Sequence, residues 1–155
     1  MSIHPRTTAG IARALALLTA LVAAFAFAAP GRSASFQAPI SFTIGSGESS
    51  QCQALTVADN TQLTITFASV YTEASTTGQQ VVAVFLFTKL TGQSTDSFNA
   101  VPVTSINSVS YLGSQVMTAY ADAGITNNPR LCVTRSTTSG TMAVLGSVNG
   151  TTSAP

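Results

Sequence analysis

The sequence predicts an all-β fold: an antiparallel β-sandwich, or a partly open barrel, of about eight short strands closed by one disulfide. Three observations carry this. Segments such as "FQAPISFTI" and "QLTITFASVY" alternate apolar and polar residues with period two, the signature of half-buried strands. Turn-forming clusters ("GSGESS", "EASTTGQQ", "ITNNPR", "TTSG") separate them at short intervals. Of the 120 residues from Phe36 onward, 36 are Ser or Thr, and charges are scarce. That composition suits strands whose outer faces meet water through hydroxyls.

Along the chain, Arg6 and Arg13 precede an apolar run from Ala14 to Ala29, broken only by Thr19, and Ala26-Phe27-Ala28 follows the small-residue pattern of a cleavage site. This reads as a secretory signal peptide over 1–28, cut after Ala28 or, alternatively, as late as Ser35. A retained anchor is disfavoured because the run falls short of the roughly 20 apolar residues that span a bilayer. No stable membrane span is expected after processing. The remainder, 36–155, is expected to be a single all-β domain with a frayed tail at "NGTTSAP".

In that domain, Phe36, Ala38, Ile40, Phe42 and Ile44 share a face, and Pro39 marks an edge strand. Leu63, Ile65, Phe67 and Tyr71 are assigned to the buried face of the next clear strand. "VVAVFLFTKL" is apolar on both faces and is read as a central strand covered on both sides. "TGQSTDSFNA" is read as a polar loop, and "VPVTSINSVSYL" as one or two short strands. "SQVMTAYADAG" has some helical spacing, but Thr118 and Tyr120 and the lack of a cap favour a strand. "LCVTRS" and "TMAVLGSV" complete the set.

Cys52 and Cys132 are the only cysteines. In an oxidising compartment they are expected to pair. A zinc site needs about four N or S ligands, and a catalytic cysteine needs a base. The only histidine, His4, leaves with the leader. In phase, Leu55 and Val57 oppose Cys52, and Leu131 and Val133 oppose Cys132. The bridge is therefore expected away from the main core, near a sheet edge or end.

The same inventory limits function. From Phe36 onward, Lys89, Arg130 and Arg135 face Glu48, Asp59, Glu73, Asp96 and Asp122, so no basic surface exists for nucleic acid. Without histidine a Ser-His-Asp triad is excluded. "GSGESS" lacks the lysine and helix of a phosphate loop. Two carboxylates can run a glycosidase, but none of the five has a recognisable context. Asp59 and Asp122 sit in turn-like settings and are the candidates for a cation. Tyr71, Tyr111 and Tyr120 are the candidate ligand contacts. Asn149-Gly150-Thr151 is a formal glycosylation sequon.

The runs "LTVADNTQLTITFASV", "YADAG" and "LCVTRSTTSGTMAVLGSVNG" resemble a loose group of small exported bacterial β-sandwich proteins. These read L-T-V-P-A-G…L-x-I…V-S early, and Y-A-D-x-G…V-x-R followed by S-G-Y-L-V late. The similarity spans most of the mature domain. Asp59-Asn60 replaces the Ala-Gly turn, and Ser147–Gly150 replaces the late aromatic. The resemblance implies export and a β fold, and it brings no functional residue with it.

The expectation is thus an exported, non-catalytic module with a binding or surface role and no cofactor, its ligand extracellular or in the envelope. Its oligomeric state is not set by the sequence. The alternatives are a pilin-like fibre subunit lending "FQAPISFTI" as donor strand, and a histidine-free carboxylate hydrolase.

Overall fold

A computed structural model describes residues 33–123 and 128–154. The expected leader over 1–28 and the first half of the "ITNNPR" turn lie outside the described residues. Nine strands form: β1 Ala34–Ile44, β2 Ser50–Ala54, β3 Thr61–Ala74, β4 Val81–Thr88, β5 Ser97–Ala100, β6 Val103–Ser105, β7 Ser110–Ala123, β8 Arg130–Arg135 and β9 Met142–Ser153. They make two antiparallel sheets, one of five strands in the order β1-β9-β3-β7-β6, the other of four in the order β2-β8-β4-β5. Ile40, Ile44, Leu63, Ile65, Val144 and Val148 of the first sheet and Leu86, Leu131 and Val133 of the second fill the shared core. Each such side chain stabilises the fold by about 1.5–3 kcal/mol on burial. No helix among the described residues is long and apolar enough to cross a membrane.

β1 follows the alternation read from its sequence. Ala38, Ile40 and Ile44 are buried, Phe36 and Phe42 half-buried, and Pro39 exposed on an edge strand. Segment 114–123 is strand, as favoured.

β3 departs from the expected phase. Its register shifts between Ile65 and Phe67 against both β7 and β9. Before the shift Leu63 and Ile65 point inward, and after it Ala68, Val70, Thr72 and Ala74 do. Phe67 and Tyr71 therefore leave the core face assigned to them. A bulge adds a residue to one strand, so a period-two reading carried through it inverts.

Two further expectations are corrected. The frayed tail is instead the second half of β9, an interior strand pairing with β1 as far as Thr152 and with β3 as far as Ser153. Its polar Asn, Gly and Thr residues hid it. Gly146 and Gly150 are needed there, because a Cβ would collide with the backbone oxygens of Ser69 and Thr64 on β3. The sequon asparagine, Asn149, accordingly lies within a strand and not in a loop. The polar loop around Asp96 contains β5, which pairs with β4 from Phe85 to Thr88.

The disulfide joins Cys52 to Cys132. The two cysteines face one another directly across β2 and β8, and β2 is an edge strand, so the bridge lies at a sheet edge as the phase indicated. Gln53, next to it, ties this edge to the other sheet. Its carboxamide accepts from the Ser41 N–H (2.8 Å) and donates to the Pro39 carbonyl (3.0 Å). It thus engages backbone groups of β1 as an added peptide unit does, while Pro39 offers no N–H at all.

At one end of the sandwich a buried arginine fastens three loops. Arg135 is 2% exposed. Nε donates to Glu48 O (2.9 Å), Nη1 to Gln79 Oε1 (2.9 Å) and Gly140 O (3.0 Å), and Nη2 to Gly45 O (2.6 Å) and Thr138 O (3.3 Å). Five guanidinium donors thus meet five acceptors, none of them a carboxylate. Gln79, itself buried, extends the knot to Thr76 and Ser139.

Candidate functional site

The outer face of the four-stranded sheet carries the chemistry that distinguishes this surface. On β4, Val84, Leu86 and Thr88 are buried and turn to the core, so Phe85 and Phe87 turn outward, where they are half-buried. The fold has only two layers. No described strand covers this side, and the expectation of a strand buried on both faces is corrected. Phe98 of β5 stands opposite Phe87 and is 66% exposed.

The three rings form one cluster. Phe85 meets Phe98 edge-on with centroids 5.5 Å apart at 81°, and meets Phe87 at 6.1 Å and 63°. Phe87 and Phe98 are tilted, 6.4 Å apart. Such pairs contribute about 0.5–1.5 kcal/mol each beyond the area they bury.

On the other side of β4, Arg130 of β8 is opposite Phe87, with its guanidinium carbon 5.1 Å from the ring centroid. Its Nη2 donates to Asp96 Oδ2 at 2.6 Å. Two rows therefore cross the sheet, Cys52–Cys132–Phe85–Ala100 and Ala54–Arg130–Phe87–Phe98. The disulfide braces the first row. The second ends in an exposed aromatic and holds a cation–carboxylate pair near it. This surface offers apolar area in the middle and charged donors and acceptors at the side, the composition of a recognition patch.

The three candidate tyrosines do not come together. Tyr111 points inward, is nearly buried, and donates to the Gln79 carbonyl (3.3 Å). Tyr71 lies between Leu145 and Leu112 in the five-stranded sheet and reaches the Ser110 hydroxyl (3.4 Å). Tyr120, exposed, is opposite Thr64. Tyr120 lies eight positions along β7 from Leu112, roughly 27 Å of strand. The three candidate contacts therefore occupy three separate places on the fold.

Asp122 pairs with Gln62, three positions from Asp59, so both candidates lie at one end of the five-stranded sheet. Asp122 Oδ2 accepts from the Thr91 N–H (2.8 Å) and so secures the β4–β5 loop. A shallow cleft of about 270 Å³ beside it is lined by Asn60, Thr61, Gln62, Thr91, Asp122 and Ala123. Among the described residues no three His, Cys, Asp or Glu side chains gather to hold a metal ion.

Sequence reasoning passed over Phe85, Phe87, Phe98 and Arg130 as a group. The signal was present in β4, where large apolar residues occupy both phases of a strand in a domain of modest size, 120 residues from Phe36 onward. Such a domain has too few layers to cover both sides of a sheet. Compared with known proteins, the chain matches no family model and no curated relative.

Proposed function

We propose that this protein is an exported binding module that recognises an extracellular or envelope partner through the aromatic outer face of its four-stranded sheet. The Phe85–Phe87–Phe98 cluster carries this reading. It places large apolar rings toward water beside the Arg130–Asp96 pair, on a sheet whose strands β2 and β8 the disulfide joins. Aromatic and arginine side chains are the residue types that dominate binding energy at recognition surfaces.

Recognition is favoured over catalysis by the employment of the carboxylates. Asp96 pairs with Arg130, Asp122 caps a backbone N–H, and Glu48 accepts from the Gly45 N–H (3.0 Å). A fibre subunit that lends β1 to a neighbour has less support, since β1 is paired with β9 over its whole length.

Export rests on the leader pattern and is compatible with the disulfide, which persists in oxidising compartments. The fold also favours the earlier cut. Ala34 and Ser35 belong to β1 and pair with Thr152 and Thr151, so cleavage after Ala28 keeps the ladder whole. The exported protein is expected to have the mass of a chain beginning at Ala29.

The test is titration of the exported chain against immobilised cell-wall glycan, envelope polysaccharide and envelope protein. Micromolar binding to one of them is expected, weakened roughly tenfold or more by Phe98→Ala. Absence of binding to all three, or binding that Phe98→Ala leaves unchanged, overturns the reading.

A further inference from the structure

We infer that the open edge of β7 is where a second copy of this chain docks, its own β7 pairing antiparallel with the first. This does not depend on the binding face described above.

β6 covers β7 only at Tyr111, Leu112 and Gly113. Beyond Gly113, among the described residues, two bonds engage the β7 backbone on this edge. The Asp122 N–H donates to Lys89 O (3.0 Å), and the Gln115 side chain donates to the carbonyl of its neighbour, Val116 (2.8 Å). The alternation of a strand fixes which other groups face out. At one end Ser110 O accepts from Ile106 N on this side, and at the other Asp122 N points to it. Counted from each end, Ser114 and Val116 on one side of the β3–β7 register shift and Tyr120 on the other turn their N–H and C=O groups to the open edge, with Thr118 between them. Such a row is a template for another strand.

The remaining edges are closed or short. β1 is interrupted by Pro39 and occupied by Gln53. β2, β5 and β6 have five, four and three residues. From Leu112 to Ala121 β7 has no proline and no charge, the two devices that usually protect an edge. Val116, 77% exposed, and Tyr120, 57% exposed, flank Thr118 on the outer face.

A second copy fits this edge because the edge is complementary to itself. With a two-fold axis at Thr118, even residues oppose even residues, so the outward N–H and C=O groups of Val116 and Tyr120 find partners in the second copy. Val116 then faces Tyr120 of the second copy, and Tyr120 faces its Val116, a β-branched residue against an aromatic. No charge meets its own image. The two five-stranded sheets become one continuous sheet through an isologous contact.

The test is sedimentation equilibrium of the full chain, produced in a host that exports it, with Thr118→Lys and Thr118→Glu as variants. Thr118 is exposed, so the thermal midpoint in dilute solution should not move. Wild type is expected to dimerise with concentration. Either variant alone raises the dissociation constant roughly tenfold or more, because like charges meet on the axis. An equal mixture of the two restores the dimer, which damage to the fold cannot do. In the wild-type dimer, amide exchange should slow at Val116 and Tyr120. Overturning results are a wild type still monomeric at about 1 mM, a dimer indifferent to both variants, a mixture no tighter than either variant alone, or slowed exchange on β1 in place of β7.

Discussion

Arg130 opens β8 and Arg135 closes it. Five positions apart on a strand, they face opposite ways. Arg135 shares its side with Leu131 and Val133, points into the sandwich and donates only to uncharged oxygens of three loops. Arg130 points out, lies over Phe87 and pairs with Asp96, its side chain 44% exposed. The same side chain therefore has two physical roles in one six-residue strand. Inside, its charge is solvated by fixed carbonyl dipoles, and removing it leaves acceptors stranded. Outside, water is a ready substitute for its partners, so its removal strands little.

Removing each in turn tests that contrast. Arg135→Ala should have the largest effect, roughly 4–5 kcal/mol of unfolding free energy, because five acceptors lose their donor and only some can find water. Urea unfolding measures it, and a loss below about 1 kcal/mol would erase the distinction between the two arginines. Breaking the Cys52–Cys132 bridge by a Ser pair should cost roughly 4 kcal/mol in the chain-entropy model, given the 80-residue separation. That loss falls on both ends of β8 equally. Arg135→Lys sharpens the inner half of the comparison. Its three donors cannot serve five acceptors, and about 2 kcal/mol should go. Arg130→Ala is the smallest, below about 1 kcal/mol, since exposed ion pairs and cation–π contacts are weak in water. Its effect should be read in binding, where the partner loses a donor.

Much of this was legible from residue pattern. The alternation of β1 and the phase of both cysteines gave the sandwich class and placed the bridge at an edge. Arg135 stands in step with Leu131 and Val133, yet from sequence it counted only among the charges, since an arginine in a core phase is easily taken for surface. What escaped has two physical causes. A bulge at Thr66 resets period two without changing composition, so Phe67 and Tyr71 were placed on the wrong side. Strands fixed by partners and not by propensity, β5 and the Gly-Thr-rich half of β9, look like loop and tail until their neighbours are known. The aromatic face proposed for binding needed both corrections to β4 and β5. Its rings meet only because Phe98, from a segment read as loop, stands opposite Phe87.

The most direct measurement compares wild type and Phe98→Ala on the same immobilised envelope fractions, with thermal midpoints taken in parallel. The expected result is binding weakened roughly tenfold or more at a midpoint within about 3 °C of wild type. Equal binding by the two chains, or a binding loss matched by unfolding as severe as that of Arg135→Ala, would contradict a recognition face separate from the fold's internal brace.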